Sequence, residues 1–178
     1  MTKNERLVYV ALLAAQAVIL SLVERVIPFP FAVAPGAKLG LANVITCIAL
    51  YTLPAKDALK VVGIRLVLAT LLGGTISTLL YSASGAFFSF VSMWMVKQLG
   101  PQRISLIGVS VTGALLHNTG QLLVASMIAK TWTVMLYLPV MSIIGVLSGI
   151  AIGIAANYLL SHVEKLQRYH SMQELSRP

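Results

Sequence analysis

The sequence predicts an all-α integral membrane protein, a bundle of six transmembrane helices with both termini cytoplasmic. Three observations predict it. Of 178 residues, 58% are hydrophobic and 10% charged, with a mean hydropathy of +0.89. A single soluble core cannot hide that much apolar surface. The apolar residues run in long unbroken stretches, unlike the alternating pattern of a membrane barrel strand, and helices are then the way to satisfy backbone polar groups in lipid. Basic residues stand at the ends of those stretches, where topology signals belong.

A spanning helix needs about 20 apolar residues. The first candidate is 7–23. Lys3 and Arg6 precede it, and Ala32-Val33-Ala34 mimics a signal-peptide cleavage site. Pro35 would then be the first mature residue, a poor cleavage substrate, so an uncleaved helix is expected. A proline-rich loop, 24–35, follows. The second candidate is 37–53, ended by Pro54. The third is 57–72, ended by Gly73-Gly74. The fourth lies within 76–96, with an interruption expected near Ser82-Ala83-Ser84-Gly85. The fifth is 104–129. The sixth is 134–160, with Pro139 near its start, where a helix tolerates proline best. Residues 1–160 thus form one membrane-embedded domain, and 161–178 read as a short, frayed, polar cytoplasmic tail.

Charge sets the orientation. With the N-terminus inside, the cytoplasmic side carries nine basic residues (Lys3, Arg6, Lys56, Lys60, Lys97, Arg103, Lys165, Arg168 and Arg177). The outside carries three, Arg25, Lys38 and Lys130. That asymmetry and an even number of spans put both termini in the cytoplasm of a multi-pass cell-membrane protein. Trp132 and Tyr137 then fall at the outer interface and Tyr158 at the inner one. The net charge of +8 is a topology signal, not a nucleic-acid footprint. The single Cys47 lies in an apolar run and forms no internal disulfide.

Polar groups inside apolar runs need a reason. Arg65 sits mid-run in the third stretch, where it either snorkels to an interface or faces a ligand. Lys38 opens the second stretch between Gly36 and Gly40, and reads either as an interfacial lysine or as part of a helix start whose N–H groups attract anions. Asn43 lies about one turn deeper. His117, Asn118 and Gln121 cluster in the fifth stretch, with His117 and Gln121 on one face. They either bond between helices or line a pocket. A lone histidine does not make a metal site, and no metal or cofactor is expected. Glu24 and Arg25 read as a surface pair, with each other or with Lys38. Gly145, Gly149 and Gly153 form a small-residue stripe that suits packing within the chain. Ala11 and Ala15 form a second small face, open to packing within the chain or onto another membrane subunit.

The segment Pro35-Gly36-Ala37-Lys38-Leu39-Gly40-Leu41-Ala42-Asn43, followed by an apolar helix, resembles the heptaprenyl diphosphate synthase component I family, also called the Gx transporter family. Gly113-Ala114-Leu115-Leu116-His117-Asn118-Thr119-Gly120-Gln121 is similar to a second signature of that family. In size and helix count the family is similar to the substrate-binding S components of energy-coupling-factor (ECF) transporters. That resemblance implies a partner set of one transmembrane coupling subunit and two ATPases, with Ala11 and Ala15 as the contact. It also implies a small-molecule substrate, expected to be anionic and partly apolar.

The family's enzymatic name meets a chemical objection. Mg²⁺-diphosphate chemistry needs several carboxylate oxygens at once, and Asp57 is the only aspartate. No phosphate-binding loop is present either, so any use of ATP belongs to a partner. The sequence therefore predicts a non-enzyme. The leading expectation is a substrate-binding subunit of an ECF-type importer, with Gly36, Lys38, Asn43, Arg65, His117, Asn118 and Gln121 as its site. The alternative is a non-catalytic membrane accessory subunit of prenyl diphosphate or quinone synthesis. A scaffold with no ligand of its own is a third reading.

Overall fold

The computed structural model describes residues 2–26 and 40–175, with side chains up to residue 162. Every described element is helical. The order is α1 (Lys3–Val26), α2 (Asn43–Thr52), α3 (Ala55–Leu71), α4 (Ile76–Lys97) and α5 (Leu106–Ile128), then a 3₁₀ helix (Trp132–Tyr137) and α6 (Leu138–Leu175).

In α1, the Thr2 N–H donates to Glu5 Oε2 at 2.8 Å and the Glu5 N–H to Thr2 Oγ1 at 3.3 Å, a reciprocal cap. One face buries Val10, Leu13, Ala14, Ala17 and Val18, spaced as helical neighbours. Ala11 and Ala15 lie on the exposed side.

The second helix is shorter than the 37–53 expected from the apolar run. Gly40 takes a left-handed φ of +78°, outside helical geometry, and Leu41-Ala42 form a turn before Asn43. Residues 37–39 lie outside the described residues. Pro54 ends α2 by holding Leu53 extended (φ −123°, ψ 157°). Lys97 Nζ donates to the Leu50 carbonyl and lies 4.8 Å from the Tyr51 ring centre, so a cation closes the negative helix end. At about 15 Å long, α2 is half the depth of a hydrocarbon layer, and it sits almost wholly buried among the longer helices.

α3 runs parallel to α1. At one end Arg6 Nη1 lies 3.6 Å from Asp57 Oδ2. At the other, a Cβ on Gly73 would lie 3.5 Å from Arg25 Nη1.

α4 is continuous, so the expected interruption at 82–85 is absent. Those small residues serve helix approach instead. A Cβ on Gly85 would meet Gln121 Cγ at 2.8 Å and His117 Cε1 at 2.9 Å. Ser84 Oγ donates to the Gly120 carbonyl at 2.8 Å. The α4–α5 contact is therefore built on missing side chains.

The start of α6 also differs. Residues 132–137 form the 3₁₀ turn, and Pro139 falls in the first turn of the helix. The glycine stripe packs inside the chain against α5. Added Cβ atoms would lie 2.7 Å from Asn118 Nδ2 (Gly145), Val111 Cα (Gly149) and Ile107 Cα (Gly153). The helix continues past residue 161 to Leu175.

The core joins Cys47 and Leu50 of α2, Val61 of α3, Met93 of α4 and Val109 of α5. Outward faces are apolar as well. On α6, Ile143 and Leu147 are both 65% exposed and Ile154 is 55% exposed. Among the described residues, three helical stretches are long and apolar enough to cross a membrane, namely Lys3–Val26, Ile76–Lys97 and Trp132–His162.

Candidate functional site

A cavity of about 30 Å³ lies between the C-terminal ends of α1 and α3. Ser21, Glu24 and Arg25 of α1 form one wall, and Gly40 and Ala42 form the edge before α2. Arg65 and Ala69 of α3 face them, with Ser82 of α4 and His117 of α5 closing the inner side.

Arg65 reaches this space because it continues the buried stripe of its helix. Asp57, Ala58, Val61, Val62, Arg65 and Ala69 share one face. At 5% exposure Arg65 lies inside the bundle and does not snorkel. The Glu24 carboxylate acts on it as a counter-charge. Glu24 Oε1 also accepts the Gly40 N–H. That bond corrects one expectation. A backbone N–H read as open to a ligand's anionic group already holds the protein's own carboxylate. Glu24, read as a surface residue, bonds inward.

Gln121 lies one turn from His117 and shares the Gly85 contact. It is 5% exposed, and neither its Nε2 nor its Oε1 has a hydrogen-bond partner among the described residues. Asn43 is 3% exposed, with Nδ2 likewise unsatisfied, and it sits beneath Gly40. Asn118 turns away. Its Nδ2 donates to the Met141 carbonyl at 2.7 Å, fastening α5 to the first turn of α6. The expectation that Asn118 faces the same pocket is thus met by a structural bond elsewhere. Gly36 and Lys38 lie outside the described residues.

Of the seven candidate residues, the cavity wall holds Arg65 and His117. Gln121 stands beside His117, and Asn43 stands beside Gly40. Glu24 was expected in a surface pair, and Ser82 and Gly85 were not expected at the site. The serine–glycine run was legible, but as a helix break. No group of three metal-ligating side chains occurs among the described residues. Two guanidinium groups face one carboxylate, so the cavity carries a net positive field. Its volume accepts one or two water molecules or a small ion.

The family model for heptaprenyl diphosphate synthase component I matches residues 13–159. The chain belongs to that family. No curated protein and no solved structure matches it. Within the heptaprenyl diphosphate synthase component I match lie α2 to α5 entire, most of α1 and the apolar part of α6.

Proposed function

We propose that the chain is a non-catalytic, membrane-embedded subunit of prenyl diphosphate synthesis that assembles with a catalytic synthase subunit. The observation that carries this reading is the family match across residues 13–159. The residue chemistry agrees with it. The single aspartate, Asp57, is engaged by Lys60 Nζ at 2.6 Å and by Arg6, and it offers no acidic cluster for Mg²⁺-diphosphate. Condensation chemistry belongs to the partner. The exposed Ala11 and Ala15 face of α1 is the small-residue surface on which a second membrane segment can approach closely. The outward apolar faces of α1 and α6 anchor the assembly at the cell membrane.

The test is co-expression with an aspartate-rich prenyl synthase. The tagged chain should retain the synthase through detergent extraction and move prenyl transfer activity into the membrane fraction. Absence of both retention and relocation overturns the reading.

A second reading is favoured by the gathering of Arg65, His117 and Gln121 inside the bundle. A buried cationic and amide cluster beside a cavity of about 30 Å³ suits a subunit that takes up a small anion, working with a coupling subunit and two ATPases. Co-purification of ATPases in place of the synthase would favour it, and mass spectrometry of the purified protein would then name the molecule.

A further inference from the structure

A groove of about 420 Å³ opens between the N-terminal halves of α1 and α3, at the opposite end of these helices from the Arg65 cavity. Leu7, Val10, Ala11 and Ile64 form its apolar floor. Lys3, Arg6 and Lys60 stand at its rim. Asp57 is the one carboxylate there, bonded to Lys60 at 2.6 Å and 3.6 Å from Arg6. Three cations against one carboxylate leave the rim positive. The Lys60 and Arg6 side chains remain 66% and 48% exposed, so their charges stay available to a ligand.

Because α1 and α3 run parallel, both present their N-termini at the rim; Glu5 and Asp57 in their first turns already answer part of each dipole, so Lys3, Arg6 and Lys60 supply the attraction for an anion. The floor is apolar but the mouth is cationic. A purely apolar helix would leave the rim charges unanswered, and a free inorganic anion would leave the floor empty. The groove also falls in the size range of small-molecule sites, roughly 300–1,000 Å³.

We infer that this groove binds an anionic amphiphile, with a phosphate or diphosphate head on Lys3, Arg6 and Lys60 and a hydrocarbon tail along Leu7, Ala11 and Ile64. Two sources share that chemistry, a phosphatidylglycerol-type bilayer lipid and a prenyl diphosphate. Only the second source rests on the subunit reading above. A bound tail would lie parallel to α1, and the head would sit at the level of the helix N-termini.

The experiment is native mass spectrometry of the full chain released from detergent micelles. Each of three probes is offered separately: dioleoylphosphatidylglycerol, dioleoylphosphatidylcholine and farnesyl diphosphate. The wild type should retain one anionic amphiphile and no phosphatidylcholine. Retention should fall by about ten-fold or more in K3Q/K60Q, which removes two rim charges, and comparably in A11W, which fills the floor. L12W, on the exposed side and outside the groove, should bind as the wild type does and controls for folding. Preference for phosphatidylglycerol assigns a bilayer lipid, and preference for farnesyl diphosphate assigns an isoprenoid. Equal retention of phosphatidylcholine, or wild-type retention in either K3Q/K60Q or A11W, overturns the site. Loss of synthase co-purification in A11W with unchanged lipid retention also overturns it, in favour of a protein interface.

Discussion

Glu24 connects two requirements with one side chain. Its carboxylate satisfies the Gly40 N–H and supplies counter-charge to a guanidinium 5% exposed. Glu24→Ala should therefore cost about 1.5–3 kcal/mol, the range for hydrogen bonds to charged groups. Glu24→Gln keeps an acceptor for Gly40 but no charge for Arg65, so its loss should be intermediate. Thermal unfolding in detergent would order the three proteins. Gln121 makes the contrasting case. Its amide is buried with no bond among the described residues, and burying an unsatisfied polar group costs about 1–3 kcal/mol. Gln121→Leu should leave the midpoint unchanged or raise it. A Gln121→Leu protein that unfolds earlier would show that the amide has a structural partner. Asn118→Ala should lose about 1 kcal/mol, because it frees the Met141 carbonyl inside the α5–α6 contact.

Between helices, glycine position decides what a substitution does. Gly149 lies where a Cβ would meet the Val111 Cα at 2.7 Å, and backbone has no rotamer with which to yield. Gly149→Leu should separate α5 from α6 at a cost of about 1–3 kcal/mol or more. Gly63 has nothing within 4 Å of the same construction and sits mid-helix in α3. Gly63→Ala should stabilise by about 0.5–1 kcal/mol through helix propensity. Opposite shifts in unfolding temperature check the pair. The same feature explains what was legible in advance. The Gly145, Gly149 and Gly153 stripe announced a packing face by its spacing. The 82–85 run carried the same small residues without that period, so it resembled a break until α5 was seen against it. Helix existence followed from apolar runs, whereas the late start of α2 depended on one left-handed glycine that hydropathy does not register. The inward turn of Arg65 was only half legible. Its stripe with Val61, Val62 and Ala69 is helical in spacing, but a long side chain at that depth has two destinations.

For the molecule as a whole, the exposed apolar side chains of α1 and α6 form a surface compatible with contact to lipid. The chain should resist alkaline carbonate extraction and leave membranes only with detergent. Orientation is open to a direct measurement because Cys47 is the single thiol and is fully buried. In a Cys47→Ala background, Lys130→Cys should react with an impermeant maleimide on intact cells. Arg103→Cys should react only after permeabilisation. The reverse pattern would invert the predicted topology, and it would also move the Arg65 cavity from the outer to the inner half of the bundle.

α6 is the longest of the described helices. Its 38 residues extend about 57 Å, against roughly 30 Å of hydrocarbon. Beyond His162 the helix continues through residues 163–175, a rise of about 20 Å. The rod meets α5 through Gly145, Gly149 and Gly153, and α5 carries His117, so the far end of α6 and the inner wall of the Arg65 cavity belong to one pair of closely mated helices.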